Sequence, residues 1–517
     1  MDDPRYSKST DQDRTAVMSM SRFVAGPDFY NYDMYGGLRP GGLMPFFSMA
    51  FIGLIAATFT SSFVYIGARD GLLPMISIKL QLSEAQTEAM DRLVEVPASM
   101  AFFVGLYADA VPVWGSRRKS YMIIGLSFSL LCLGILGLGC LFANELKKAM
   151  GKSFSYIMML LMGGVSFGSM INFCSVHTTV VTLSQCESLG KRGIFQADYL
   201  VARTAGQISA RLLIYVIQNV TRTLNLSLVL MLLMILSVTT IVVVLQGLDE
   251  PLAYRKQSLR CKCESYWKLT QQKAVWRSLV VVASFAFFLN FGFPLVTQAL
   301  REWTDTMDSA SGLLTWSLED LIMILTVTLW RWRLRNVLWK KFFAMAPTMT
   351  IVPQVVMAGL VIPALYRSPV VYIMLTGLTG ISTGVTALVL LAPITEIIEE
   401  GSEGGVVGLA LSFNTMFKIF ASTLLTTIQR ASYFPSSNDE DTTYQRWSIA
   451  ILVIVTCCVN SLAFIVIPIL PLQKLDAQLV RMYGGFTDNA SALTAIAFLT
   501  SLAYCVSYNI YIFSEAI

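Results

Sequence analysis

Eight stretches of this chain run without a charged residue for longer than an α-helix needs to cross a bilayer: 40–68, 120–144, 153–186, 223–248, 278–300, 342–366, 368–395 and 447–473. About 20 apolar residues, at a rise of about 1.5 Å each, span the hydrocarbon core. No other feature constrains the fold as strongly, because a peptide group in lipid has no water to bond and must be satisfied inside a helix or a closed barrel. Barrel strands alternate over short segments and do not stay apolar this long. Only 14% of the residues are charged, against about 25% in a soluble domain. A soluble enzyme is thereby excluded, and an all-α polytopic membrane protein is expected.

Four further segments, 92–111, 196–220, 310–331 and 404–428, are apolar apart from isolated charges and bring the spans to twelve. A charge-free segment at 491–513 is a candidate extra C-terminal span. The longest hydrophilic interruption carries Arg255, Lys256, Arg260, Lys262, Lys268 and Lys273 and divides the twelve six and six. The expected domains are a cytosolic tail (1–44), an N-terminal six-helix bundle (45–248), a basic linker (249–276), a C-terminal six-helix bundle (277–470) and a tail (471–517) holding the candidate span. Two bundles with a basic linker are the outline of the major facilitator fold, in which they rock about a site at mid-membrane. Basic residues gather in the tails, at Arg117 to Lys119, in the linker and at 331–341, all on one side of this topology. The positive-inside rule places that side in the cytosol. No apolar leader precedes the first span, which therefore serves as insertion signal.

GxxxG spacings at Gly164 and Gly168, Gly380 and Gly384, and Gly404 and Gly408 predict close helix packing. Pro97, Pro294, Pro353 and Pro393 predict kinks. Trp303, Trp330, Trp332, Trp339 and Trp447, near span ends, read as interfacial belts.

The most specific motif joins the second and third spans: Gly105, Asp109, Pro112, Gly115, Arg117, Arg118, Lys119 and Tyr121, in GLYADAVPVWGSRRKSY. An acid at one helix end and an arginine pair past the turn can form a charge-assisted clasp. Opening the cytosolic face breaks that clasp, so Asp109, Arg117 and Arg118 form the candidate gate. The motif resembles the loop string of the folate-biopterin transporter family, a branch of the major facilitator superfamily. Pro97, then Glu187, Gly193, Gln196, Arg203 and Gly206, then Pro393, Glu396, Glu403 and Asn414 follow in that family's order, so the likeness covers roughly 60–430. This chain departs from the family at Ala98, Ala101 and Phe102, where the family has tryptophan, lysine and proline. It departs again at Thr178 and Thr182, where the family tends to carry acids. The resemblance implies a carrier with folate or a pterin at the head of its ligand list.

A charge inside a span is costly enough to need a partner or a purpose. Arg203 and Arg211 share the fifth span, about 12 Å apart along a helix and about 80° around it. Lys418, four residues after Asn414, adds a cation in the second half. Cations from both halves around one cavity suit a carboxylate, phosphate or sulfonate. Arg203, Arg211, Lys418, Asn414 and Gln354 are therefore the candidate substrate residues, with Asn290 a further polar candidate. Glu319, Asp320, Glu95 and Asp198 are the acids available for proton coupling or ion pairing. His177 reads more simply as a hydrogen-bonded packing residue. The acidic run Glu396, Glu399, Glu400 and Glu403 is expected in a cytosolic loop, solvated or docked on the basic 331–341 segment.

The expectation is a secondary active transporter of a small hydrophilic, anionic organic metabolite working by alternating access, with protons a candidate coupling ion. The alternative is a transporter-like sensor or assembly partner without turnover. No Walker sequence or HExxH appears, which argues against ATP drive and, with the single histidine, against an enzyme. One histidine and no CxxC pair leave no expected metal or cofactor. A net charge of +5 is too balanced for nucleic acid. The expected setting is a monomer in the bilayer of the plasma membrane or an organelle.

Overall fold

The computed structural model describes residues 36–40, 45–220, 226–251, 257–431 and 442–515. Arg255, Lys256 and nearly all of the 1–44 tail lie outside the described residues. The N-terminal spans are α1 (Met49–Leu80), α2 (Glu84–Ala110), α3 (Lys119–Leu141), α4 (Ser153–Ser184), α5 (Ile194–Asn219) and α6 (Leu226–Gly247). A bent pair, α7 (Lys273–Leu289 with Pro294–Trp303), opens the second half. It is followed by α8 (Ser309–Leu334), α9 (Trp339–Val361), α10 (Pro369–Ile397), α11 (Glu403–Gln429) and α12 (Thr443–Ile469). Beyond these lies α13 (Ala490–Glu515), a helix long and apolar enough to cross the membrane.

Packing divides the first twelve into two bundles. In the first, α3 lies along α4 and α6, and α1 along α5 and α6. In the second, α11 lies along α7, α8 along α10, and α9 along α10 and α12. The bundles meet at two seams, α2 against α11 and α5 against α8. We call the face with the linker helix (Leu259–Gln271) and the α2–α3 turn the inner face, and its opposite the outer face.

Local chemistry sets where the chain turns. Gln81 adopts a left-handed conformation (φ 53°) after α1. Ser83 and Gln86 then exchange side-chain and backbone hydrogen bonds of 3.2 Å in a capping box that starts α2. Pro97 sits at a tightened turn, Val96–Met100, inside α2. The 43° bend of α7 falls between Leu289 and Pro294, where proline cannot continue the preceding ladder.

The three GxxxG pairs lie at helix crossings. Gly168 meets Gly125 and Ser129 of α3, and Gly380 meets the Glu319 carbonyl of α8. The tightest crossing joins the bundles: a Cβ on Gly105 would come within 1.9 Å of the Gly404 carbonyl oxygen, and one on Gly408 within 2.5 Å of the Ala101 oxygen. Only glycine permits this contact of α2 with α11.

Two expectations are corrected. The first span does not end at Ala68. It continues to Leu80 through a wide π-helical turn, Gly67–Leu72, that carries Arg69 and Asp70. Charges met by protein partners do not end a span, and a charge-free count cannot see those partners. Nor are Trp330 and Trp339 belt residues: both are almost fully buried, Trp330 over Gly193 and Trp339 beside Phe343. Trp332 and Trp447 are exposed.

The α2–α11 crossing yields a direct test. Gly105→Val overpacks it at a cost of about 1–3 kcal/mol and is expected to lower the melting temperature of the purified protein. Gly359→Ala, which faces open space within a helix, should not lower that temperature.

Candidate functional site

At the inner face, Asp109 ends α2 with no exposed surface. Its carboxylate accepts from Arg118 Nη2 at 2.5 Å, from the Tyr266 hydroxyl of the linker helix and from the Gly405 backbone N–H of α11 at 2.9 Å. Burial first, then the adjacent Asp109 carboxylate, raise the Tyr266 pKa, so the phenol stays a donor. Arg118 also faces Glu403 at 3.6 Å, and Glu403 pairs with Arg39 at 2.5 Å. The clasp therefore joins the α2–α3 turn, the linker and α11.

The motif's other residues act on the same turn. Glu250 accepts backbone N–H bonds from Arg117, Arg118 and Lys119 at 2.7–3.0 Å, an anion at the start of α3. Lys119 Nζ donates to the Leu245 and Leu248 carbonyls at the end of α6. Gly115 holds a positive φ of 76°. Arg117 contributes its backbone N–H to Glu250, and Arg118 alone of the two arginines pairs with Asp109. The sequence does not distinguish them because both lie within reach of the turn.

A second inner cluster lies between the bundles. Arg192 and Glu396 pair at 2.6 Å, both under 3% exposed. Gln185 Nε2 donates to the Thr395 and Ile398 carbonyls, and Gln196 Nε2 to the Thr395 hydroxyl. Lys474, on a short helix after α12 (Lys474–Tyr483), donates to the Leu189 and Arg192 carbonyls and to Asn336. Burial lowers its ammonium from 10.5 to about 7. Burial likewise raises Glu187, between α4 and α5, to about 7. The acidic run is not docked on 331–341: Glu396 meets Arg192, Glu399 lies 3.8 Å from Arg481, and Glu403 meets Arg118 and Arg39, while Glu400 is exposed. Arg331 pairs instead with Asp198 at 2.9 Å, across the α5–α8 seam.

Deeper between the faces, Arg211 of α5 donates to Asp70 of α1 at 2.9 Å and to Asp320 of α8. It thus faces two acids rather than an open cavity. Glu95 pairs with Arg69 at 2.7 Å and with Arg92 at 3.2 Å, and Arg92 reaches the Ser422 hydroxyl of α11 at 3.4 Å. Two cations differ. Arg203 stacks over Phe173 at 4.5 Å and has no carboxylate within salt-bridge distance among the described residues. Lys418 is exposed on the otherwise well buried α11 and also lacks such a carboxylate among the described residues, though Glu95 acts on it electrostatically. Asn414 is half-buried one turn before Lys418.

Glu319 accepts from Thr383 of α10 at 2.7 Å, and Thr383 is exposed between buried neighbours. Gln354 is not brought to this group. It lines a mainly apolar cavity of about 150 Å³ inside the C-terminal bundle, with Pro353, Tyr372 and Thr456. Asn290 donates to the Ala286 carbonyl at the α7 bend. His177 is buried, its Nδ1 3.1 Å from the Tyr199 hydroxyl.

Residues that sequence reasoning missed are Arg69, Asp70, Arg192, Tyr266 and Lys474. The apolar run that resumes at Leu72 after Arg69 and Asp70 is the signal that could have revealed the first two. The others sit in polar connections where nothing in the pattern marks them.

No family model matches the chain, and comparison with curated proteins gives no match. Solved structures do resemble it. A bacterial homologue of the iron transporter ferroportin, in an outward-facing state, has a TM-score of 0.53 at 16% identity, over 81% of this chain and 98% of that one. The human organic anion transporter MFSD10 has a TM-score of 0.54 at 14% identity, over 81% and 98%. At such identities the likeness shows the fold. The chain is an integral, multi-pass membrane protein with the major facilitator fold.

Two tests follow. Arg211→Ala leaves two buried carboxylates uncompensated and is expected to cost about 3–5 kcal/mol, read as a large fall in melting temperature. Asp320→Asn, which leaves Arg211 paired with Asp70, should cost less. For Lys474, the native state loses its proton near 7 while the unfolded chain keeps it to 10.5. The native state then binds fewer protons, so stability rises with pH across that window. Melting curves of wild type and Lys474→Met should diverge accordingly, with the gain absent from the variant.

Proposed function

We propose that this chain is a secondary active transporter that moves a small, hydrophilic, anionic organic solute by alternating access, with folate- or pterin-like compounds the first candidates from the sequence resemblance. The observation that carries the reading is one of charge. Arg69, Arg92, Arg118, Arg192 and Arg211 all meet carboxylates, whereas Arg203 from one bundle and Lys418 from the other have none within salt-bridge distance among the described residues. A cation from each bundle left without a carboxylate suits an anion bound between them. Asn414, beside Lys418, is a neutral hydrogen-bonding partner for the same solute.

Arg211 and Asp320 serve as the ion bridge between bundles in this reading, with Asp70 as the third member. Glu319 becomes the proton carrier: it accepts a neutral hydroxyl's hydrogen bond from Thr383, and protonation there breaks no ion pair. The inner face is latched by Asp109, Arg118 and Glu403, so the state described is closed toward the cytosol. Residence in the plasma membrane and a monomeric working unit belong to the same proposal.

Uptake into proteoliposomes, with and without an inward proton gradient, tests it with labelled folate, a pterin and a panel of other organic anions. Gradient-driven uptake of one compound is expected, reduced about 10- to 100-fold by Lys418→Gln through loss of a charge-assisted hydrogen bond. Glu319→Gln should remove the gradient dependence while leaving solute exchange. Uptake that is indifferent to Lys418 and Arg203 overturns the anion site.

A further inference from the structure

A major facilitator core is complete with twelve spans, and α13 is additional to it. The helix is not peripheral. It packs on α2 and on α11 together and so covers one of the two seams along which the bundles meet. Its outward residues Leu493, Ile496, Leu499 and Ile510 are exposed and apolar, as a lipid-facing surface requires. Its inward side shields charge: Arg92 and Ser422 bridge α2 and α11 at this seam, and Glu95 lies close enough to act on Cys505 electrostatically. Without α13, this polar group would border lipid.

The two walls hold the helix differently. Toward α11 the contacts include directional bonds: the Tyr504 hydroxyl lies 2.9 Å from the Thr423 hydroxyl, and the Cys505 thiol donates to the Met416 carbonyl at 3.8 Å. The Tyr504 ring also meets Phe420 edge-on at 5.0 Å. Just before α13, Thr487 N–H donates to the Gln271 carbonyl, and Lys273 N–H, where α7 begins, donates to the Gly485 carbonyl. Toward the inner half of α2 the contact is ring on ring, Phe498 against Phe102 at 5.2 Å and Phe103 at 5.7 Å. Phe498 is wedged there, with Phe413 of α11 on its other side at 6.0 Å. Apolar ring contacts have no fixed direction and can slide, whereas hydrogen bonds buried from water are costly to leave unmade.

Opening the inner face must part α2 from α11 at the Gly105–Gly404 crossing, and α13 cannot keep both walls. We propose that α13 is a moving lipid-side seal: it travels with the C-terminal bundle, and its Phe498 face slides off α2 when the inner face opens. The inference rests on the alternating-access part of the proposed function and not on any particular solute.

Thiol crosslinking tests it without a transport assay. Cys261, Cys263 and Cys458, which are exposed, are changed to serine, and a protease site is engineered within residues 432–441. Two pairs are then built, Phe103→Cys with Phe498→Cys, and Thr423→Cys with Tyr504→Cys. Each is treated in proteoliposomes with a short thiol crosslinker, with the clasp intact and with Asp109→Asn and Arg118→Gln added. Both pairs are expected to crosslink while the clasp is intact, and with it broken only the 423–504 pair should persist. Persistence of both pairs makes α13 a static plug, persistence of 103–498 alone assigns it to the N-terminal bundle, and loss of both shows it leaving the seam, each overturning the proposal. Because no solute is involved, failure of every anion in the uptake assay leaves this result standing.

Discussion

The closed inner face depends on one carboxylate that water does not reach. Asp109 has no exposed surface, and an arginine, a phenol and a backbone N–H converge on its carboxylate in place of water. Each donor comes from a different element: the α2–α3 turn, the linker helix and the start of α11. Satisfying this one group therefore fixes where the linker lies and how near α11 approaches α2. The glycine crossing of Gly105 with Gly404 and Gly408 is the steric counterpart of the same constraint, since bulkier residues would hold the donors away from the acid.

Deeper in the protein the same rule sorts the charged residues by role. Arg69 and Asp70 are neighbours on one wide π-helical turn of α1, and their side chains point in different directions. One meets Asp91 and Glu95 inside the N-terminal bundle, and the other meets Arg211, which continues to Asp320 across the seam. A single turn thus ties α1 to α2, α5 and α8. Once these pairs are made, Arg203 and Lys418 have no carboxylate within salt-bridge distance among the described residues, and in the proposed reading the charge offered to a solute is a remainder rather than a cluster. The covered α2–α11 seam follows as well: polar groups placed between two bundles need shielding from lipid, and α13 supplies it on that side.

Much of this was legible in the sequence. The apolar spans, apart from the end of the first, and the close glycine crossings follow from local pattern. Gln354 and Arg211 show the limit. Both look alike along the chain, polar residues in the middle of apolar spans, yet one lines a cavity within a bundle and the other is held by acids 141 and 109 residues away. Helix rotation decides between these outcomes, and rotation is set by packing against other helices.

The sequence by itself determined that the chain lives in a bilayer, roughly where most of its spans lie and which connections carry the positive charge, because these depend on transfer of short segments from water to lipid. Only the tertiary structure decided which charges are neutralised, which of two adjacent arginines closes the clasp and that the last helix covers a seam. Ion pairing and helix packing act between segments far apart in the chain, and their partners are chosen by three-dimensional proximity, which no local pattern encodes.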